Sequence, residues 1–122
     1  MLRQLKKIMG NVSSQPRKQR KSRYTAPLHV RQGYMSAHLS PDLRKKHGFR
    51  SVRVRTGDRV RLLIGQFKKT EDVIEKVDLK RERVFVKGAE IVKQDGSKVS
   101  YPIHPSNLMV VSLDLSDKKR KA

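Results

Sequence analysis

The sequence predicts a mostly β fold: a small barrel, preceded by one short helix and flanked by extended basic arms. Two observations lead to this prediction. In residues 51–113, apolar side chains alternate with polar ones, and turn residues separate the runs, as is typical of half-buried strands. The net charge of +19 is concentrated mainly outside that stretch.

Charge divides the chain into regions. Residues 1–50 contain 13 Lys and Arg but a single acid, Asp42, whereas residues 51–115 contain 13 basic and nine acidic residues. A balanced centre with basic ends indicates a folded domain whose arms bind a polyanion. We therefore predict a basic N-terminal arm at residues 1–38, a helix and linker at 39–50, a barrel at 51–115 and a basic tail at 116–122. Such arms are expected to be disordered until a partner neutralises them.

Composition also predicts the compartment. The chain has no cysteine, which excludes disulfides and Cys-ligated zinc and fits a reducing environment. No apolar run approaches the roughly 20 residues that span a bilayer, and residues 1–10 are too short and too interrupted by lysine for a secretory signal. We expect a cytoplasmic protein without membrane insertion.

Residues 1–10 have two possible interpretations, because apolar residues recur there at helical spacing: Leu2, Leu5, Ile8 and Met9. The segment forms either a frayed leader, which we favour, or a short amphipathic helix on a membrane surface or a partner.

Residues 16–34 predict an RNA-binding arm. Its basic run is typical of nucleic-acid-binding patches and contains five cations: Arg17, Lys18, Arg20, Lys21 and Arg23. Tyr24, His29 and Tyr34 lie among and after these cations, and their rings can stack on unpaired bases while the cations neutralise phosphates. Pro27 and Gly33 indicate an extended conformation rather than a helix.

Residues 39–48 predict the short helix. Ser40 is a suitable N-cap, Pro41 suits the first helical position, and Asp42 complements the helix dipole. Gly48 can adopt the left-handed conformation that ends a helix. Leu39 and Leu43 would attach the helix to the barrel. The basic side of the helix is a second candidate RNA face, formed by Arg44, Lys45, Lys46 and His47.

Residues 51–64 predict the first two strands of the barrel. Val52 and Val54 are expected to face inward, with Arg53 and Arg55 on a cationic outer face. After a turn at residues 56–58, the inward side chains of the second strand are expected to be Val60, Leu62 and Ile64.

The remaining runs complete the barrel. Val73 and Val77 alternate with Glu75 in a third strand, and Val84 and Val86 face inward in a fourth. Residues 91–93 and 98–103 flank an Asp-Gly pair, which is a strong hairpin signal. Residues 108–113 form a last apolar strand. Short strands with turns between them predict a small barrel.

No catalytic or metal-binding pattern is present. The four histidines lack the spacing of zinc ligands, and no glycine-rich phosphate-binding loop occurs. Glu71, Asp72 and Glu75 are interpreted as solvated charges that balance nearby lysines. We therefore expect no enzyme, no cofactor and no small-molecule substrate.

The central stretch resembles a KOW motif, on residues that stand in the order and spacing of that pattern: Gly57-Asp58-x-Val60, Gly65, Lys68, Val77-Asp78, Val84-x-Val86 and Gly88. Three further stretches narrow the resemblance: PRKQRKSRYTAPLHV at 16–30, LSPDLRKKHGFRSV at 39–52 and IHPSNL at 103–108. Together they resemble the large-subunit ribosomal protein twenty-four family, in its archaeal and eukaryotic branch.

This resemblance implies an SH3-like KOW barrel that binds large-subunit ribosomal RNA (rRNA). Members of the family are structural proteins of the ribosome, contact the first domain of that RNA, assemble early, and lie near the polypeptide tunnel exit beside neighbouring ribosomal proteins. The resemblance assigns rRNA contacts to Arg17, Lys18, Gln19, Arg20, Lys21, Arg23, Tyr24, His29, Gly65, Lys68, Lys69, His104, Ser106 and Asn107. The basic pattern itself adds Arg31, Arg44, Lys45, Lys46, His47, Arg50, Arg53 and Arg55.

The loop after the second strand departs from the family pattern. Lys69 and Asp72 occupy positions where the family usually has glycine, and Glu71 and Asp72 would repel a phosphate. We therefore expect the arm and the helix to provide more of the RNA binding. An alternative from another class is a KOW module that binds a protein partner in transcription or its regulation.

Overall fold

The computed structural model describes residues 13–120, so the apolar spacing noted in residues 1–10 lies outside the described part. Within residues 13–120 the chain forms three short helices, seven strands and two 3₁₀ turns. The helices are α1 (Pro16–Thr25), α2 (Leu28–Tyr34) and α3 (Pro41–His47). The strands are β1 (Ser36–Leu39), β2 (Ser51–Arg53), β3 (Arg59–Leu62), β4 (Glu71–Asp78), β5 (Arg83–Val92), β6 (Lys98–Ile103) and β7 (Leu108–Ser112). The 3₁₀ turns are Pro105–Asn107 and Lys118–Arg120.

The strands form one mixed sheet in the order β2-β1-β7-β3-β4-β5-β6. Neighbours are antiparallel except β1 and β7, which run parallel with His38 opposite Met109. The inward side chains of the sheet form a single hydrophobic core, whose fully buried members include Val60, Val84 and Val110. The predicted mostly β, barrel-like fold is therefore confirmed.

The alternation of apolar residues identified most inward positions, with two exceptions. Ile64 is 66% exposed, because β3 ends at Leu62 and the chain enters a loop. Val73 faces outward, and Ile74 takes the inward position instead. The pairing of β4 with β5 shifts register between Ile74 and Lys76, and such a bulge returns Val77 to the core three positions later.

The helix α3 has the predicted ends. The Ser40 hydroxyl accepts a hydrogen bond from the Leu43 N–H at 3.4 Å, and Gly48 has a left-handed φ of 73°. Leu39 is completely buried as the last residue of β1, and Leu43 packs against the core. This prediction is confirmed.

The prediction of an extended arm is wrong, because residues 16–25 and 28–34 are helical. The Arg, Lys and Gln residues of α1 have high helix propensity, and Pro16 occupies its first turn, where proline is tolerated. Pro27 separates the two helices and precedes the first residue of α2. The chain then enters the sheet as β1, and Met35 and Ala37 are buried in the core.

The basic tail forms a 3₁₀ turn at Lys118–Arg120 that contacts the barrel, contrary to the expectation of a disordered arm. Asp117 and Arg120 bond to side chains near β2 and the β2–β3 turn. The Arg120 side chain is only 6% exposed.

Candidate nucleic-acid interface

Helix α1 presents cations on all sides. It has no buried residue, and Arg17, Lys18, Arg20 and Lys21 are exposed. Gln19 donates a side-chain hydrogen bond to the Ser13 carbonyl at 3.1 Å. The Tyr24 ring at the end of the helix is 81% exposed, and His29 is exposed at the start of α2. A helix that is polar all round contributes little to a core, so its side chains remain free for a polyanion.

Arg23 is the exception in α1, because it has an internal partner. Its Nε lies 3.1 Å from Glu82 Oε1, and its Nη2 lies 2.5 Å from Oε2. The guanidinium carbon also lies 5.1 Å from the centroid of the Tyr34 ring, a cation–π contact. The hydrogen bond from Arg23 lowers the pKa of Glu82, and nearby His104 and Arg31 lower it further. This pair attaches α1 to the turn between β4 and β5.

Arg31 has a similar anchoring role. Its guanidinium donates to the carbonyls of Ala26 at 3.0 Å and Lys80 at 2.7 Å, and also to the carbonyl of Tyr24. These bonds connect the end of α1 and the start of α2 to the β4–β5 turn. The predicted contact residue Arg31 therefore positions the helices that carry the free cations.

A second basic cluster surrounds the end of α3. Lys45, Lys46 and Arg50 are exposed, while Arg44 and His47 are half-buried. His38 on β1 also belongs to this cluster, although the sequence did not single it out. Burial lowers the pKa of His38, and the charges of Arg44 and Arg50 lower it further. The sequence could not show that His38 belongs to this cluster, because β1 was not predicted and a single histidine has no characteristic spacing.

Arg53 and Arg55 lie beside the ordered tail. The Arg53 carbonyl accepts a hydrogen bond from Arg120 Nη2 at 3.1 Å. Arg55 Nη1 lies 2.7 Å from Asp117 Oδ2, and this bond lowers the pKa of Asp117. Of the cationic outer face predicted for β2, the Arg55 side chain is therefore bonded to an acid of the protein itself.

The loop at residues 63–70 lies beside the 3₁₀ turn at Pro105–Asn107. The Leu63 N–H donates to the Asn107 carbonyl at 2.9 Å, which brings two separately predicted groups of contact residues together. Lys68 and Lys69 are exposed, and Gly65 has a φ of 96°. Lys69 has a φ of 70°, so the left-handed conformation that glycine favours is retained without glycine.

Glu71 and Asp72 are the acids beside this loop that could repel a phosphate, and each has a bonding partner. Arg61 on β3 forms an ion pair with Glu71, directly across the β3–β4 ladder. Asp72 accepts a hydrogen bond from the Val73 N–H at 2.7 Å. Arg61 therefore offsets the charge of Glu71, whereas the hydrogen bond from Val73 leaves the charge of Asp72 in place.

His104 and Ser106 orient each other. Ser106 Oγ lies 2.8 Å from His104 Nδ1, and the Ser106 N–H donates to the same nitrogen at 3.3 Å. Because Nδ1 accepts a hydrogen bond, the neutral ring carries its proton on Nε2. His104 thus offers an N–H donor away from the 3₁₀ turn.

Metal ligands and membrane spans are the two remaining features that bear on function. Within residues 13–120, no group of three or more His, Asp or Glu side chains lies close enough to hold a metal ion. In the same part of the chain, no helix has the length and apolar character needed to cross a membrane.

Comparison with known proteins adds independent information. A family model described as the ribosomal proteins L26 of eukaryotes and L24 of archaea matches residues 13–122. The chain is also similar to the large ribosomal subunit protein uL24 of Methanosphaera stadtmanae. The two are 54% identical over 109 residues, which cover 89% of this chain and 93% of the relative.

Proposed function

This chain belongs to the ribosomal protein family that comprises eukaryotic L26 and archaeal L24, and we propose that it is a structural protein of the large ribosomal subunit that binds large-subunit rRNA. The family is a structural rather than a catalytic class. The observation that carries the RNA-binding proposal is helix α1, which has no buried residue and holds four exposed cations at Arg17, Lys18, Arg20 and Lys21.

The barrel and the basic segments have different roles in this proposal. The barrel gives the chain a rigid body, and Arg23 and Arg31 fix the helices α1 and α2 against its β4–β5 turn. The free cations of α1, the end of α3 and the loop at 63–70 then contact phosphates. Recognition is mostly through RNA shape and phosphate geometry, since Lys and Arg contacts to the backbone position a protein without reading sequence.

The finer placement follows the family resemblance. We propose that the chain contacts the first domain of the large-subunit rRNA, supports early assembly, and lies near the polypeptide tunnel exit beside other ribosomal proteins. It acts there in the cytoplasmic ribosome.

Sedimentation of a native lysate tests the assignment. After separation on a sucrose gradient, the chain is expected in the large-subunit fraction, and a moderate salt wash is expected to leave it there, because many phosphate contacts act together. If it migrates at the top of the gradient or with RNA polymerase, the proposal is wrong and the function is that of a KOW module in transcription.

A further inference from the structure

A shallow groove of about 210 Å³ lies between the loop at 63–70 and the segment 101–107. Its walls include Gly65, Phe67, Arg83, Tyr101, His104 and Asn107. We propose that this groove binds one unpaired nucleobase of the rRNA, stacked on the Tyr101 ring. The proposal rests on the RNA-binding function proposed above and specifies what one part of that interface recognises.

The size of the groove favours a single ring system. Sites for drug-sized ligands occupy roughly 300–1,000 Å³, so a groove of about 210 Å³ accepts only a smaller group. A base extruded from an RNA loop is such a group, because its flat ring can enter while its sugar and phosphate remain outside.

The walls provide a prepared aromatic surface. The ring centroids of Phe67 and Tyr101 lie 5.5 Å apart with an interplanar angle of 55°. Phe67 packs against the hydrophobic core, so it holds the Tyr101 ring in place from the protein side. Tyr101 is nevertheless 41% exposed. An exposed aromatic ring that is already oriented can stack on a base with little loss of side-chain entropy.

The groove also carries polar groups suited to the edge of a base. His104 is oriented by Ser106, so that its Nε2 is free to donate. Arg83 donates one hydrogen bond to the Glu82 carbonyl at 3.1 Å and retains further N–H donors. Asn107 is half-buried and bonds through its backbone to residues 63 and 104. An amide side chain both donates and accepts, as base edges do.

Charge favours RNA over an apolar protein segment as the occupant. Lys68 and Lys69 are exposed on the loop that forms one wall. Glu82 lies close enough to His104 for their charges to interact, but it is paired with Arg23 at 2.5 Å, and Glu71 beside the loop is paired with Arg61. These two acids therefore oppose a phosphate only weakly. The base would lie in the groove, and the phosphates on either side would contact these lysines.

Substitution of Tyr101 tests the stacking. The full chain is bound to deproteinised large-subunit rRNA in a filter-binding assay, and base reactivity is probed with dimethyl sulfate and carbodiimide. Tyr101→Leu is expected to weaken binding about 10-fold and to expose one unpaired base that the unsubstituted chain protects, since each stacked base contributes roughly that much. Tyr101→Phe keeps the ring and is expected to remain within about twofold.

The control is Ile91→Ala, because Ile91 is 41% exposed, like Tyr101, but lies in the β5–β6 hairpin, outside the groove. It is expected to leave both affinity and footprint unchanged. If Tyr101→Leu leaves them unchanged as well, or if Tyr101→Phe loses as much as Tyr101→Leu, the stacking proposal is wrong while RNA binding stands. A third result would also overturn the stacking proposal: Tyr101→Leu binds deproteinised rRNA normally but is poorly incorporated into large subunits. In that case the groove would hold a protein side chain rather than a base.

Two further results complete the test. If Tyr101→Leu does not fold, as judged by circular dichroism, the footprint of Arg83→Gln decides: loss of the same single-base protection supports the proposal, and an unchanged footprint overturns it. If the unsubstituted chain itself fails to bind rRNA, the broader proposed function fails as well, which is a distinguishable outcome.

Discussion

The guanidinium of Arg120 forms a bidentate ion pair with the carboxylate of Asp58, with Nη1–Oδ1 at 2.6 Å and Nη2–Oδ2 at 2.5 Å. Both side chains are buried, at 6% and 0% exposure. The same carboxylate accepts the N–H groups of Arg55 and Asp114, both at 3.0 Å. Asp58, part of the motif at the β2–β3 turn, therefore connects that turn to the segment after β7 and to the tail.

We predict that Arg120→Ala lowers the free energy of unfolding by about 3 kcal/mol, because removing one partner leaves a buried carboxylate without its counter-charge. Arg120→Lys should lose less, since an ammonium restores the charge but not the bidentate geometry. Urea denaturation at neutral pH measures both. The matched control is Lys119→Ala, an exposed cation in the same turn, which should change stability by less than about 0.5 kcal/mol. Equal stability of Arg120→Ala and Lys119→Ala would show that the tail is not held by this pair.

The Arg23–Glu82 pair predicts a loss of stability in acid. The hydrogen bond from Arg23 lowers the folded-state pKa of Glu82 below its ordinary value of 4.5. A depressed carboxyl pKa stabilises the fold above about pH 4.5, and this contribution is lost as the pH falls through the folded-state pKa. Glu82→Gln should cost about 1 kcal/mol at pH 7, a modest amount because Arg23 is half exposed. Urea denaturation at pH 7 and pH 3 measures the difference.

As the pH falls below the folded-state pKa of Glu82, the stabilities of Glu82→Gln and the unsubstituted chain should approach each other, because the unsubstituted chain then loses its carboxylate at position 82. Glu90→Gln is the control, since its contact with Lys98 is long, at 3.9 Å, and exposed. A stability difference between Glu82→Gln and the unsubstituted chain that stays constant from pH 7 to pH 3 would contradict the assigned role of the ion pair.

The parts of the fold that sequence predicted are those with local signals. Ser40 and Gly48 define α3 within ten residues, and Val84 and Val86 alternate within one strand. The parts that were missed depend on distant pairing. β1 forms a parallel ladder with β7, about 70 residues later in the chain. Similarly, the bulge that returns Val77 to the core is fixed by the pairing of β4 with β5.

The candidate interface divides in the same way. The basic run at residues 16–23 is visible in the sequence, and its exposure follows from having no apolar face. The sequence does not show which of the cations form ion pairs within the protein. Arg23 and Arg120 differ from their neighbours only by having acids 59 and 62 positions away as partners. Composition counts all cations alike, so only the tertiary structure separates the structural arginines from the free ones.

Lys69 predicts a stability difference that depends on backbone conformation. Its φ of 70° is costly for a residue with a Cβ, whereas glycine adopts it freely. Lys69→Gly should therefore be more stable than Lys69→Ala by about 1 kcal/mol in urea denaturation. The comparison excludes any effect of the charge, because both variants lack the lysine side chain.

Lys68 provides the opposite case in the same loop, since its φ is not positive. Here Lys68→Ala should be more stable than Lys68→Gly, by roughly 0.5 kcal/mol, because glycine loses more entropy on folding. The same order of Gly and Ala at both positions would show that the left-handed φ of Lys69 has no energetic consequence.

Helix α1 predicts a steep dependence of RNA binding on salt. Each cation that contacts a phosphate adds about 0.7–0.9 to the magnitude of the log–log slope of affinity against salt concentration. Replacing Lys18, Arg20 and Lys21 together with Gln should therefore flatten the slope by about 2 for large-subunit rRNA, measured by filter binding over a range of KCl concentrations. The matched control replaces three exposed cations of the β5–β6 hairpin: Lys87, Lys93 and Lys98. Both triple variants have the same net charge, so a general effect of charge would flatten both slopes equally and would contradict a specific role for α1.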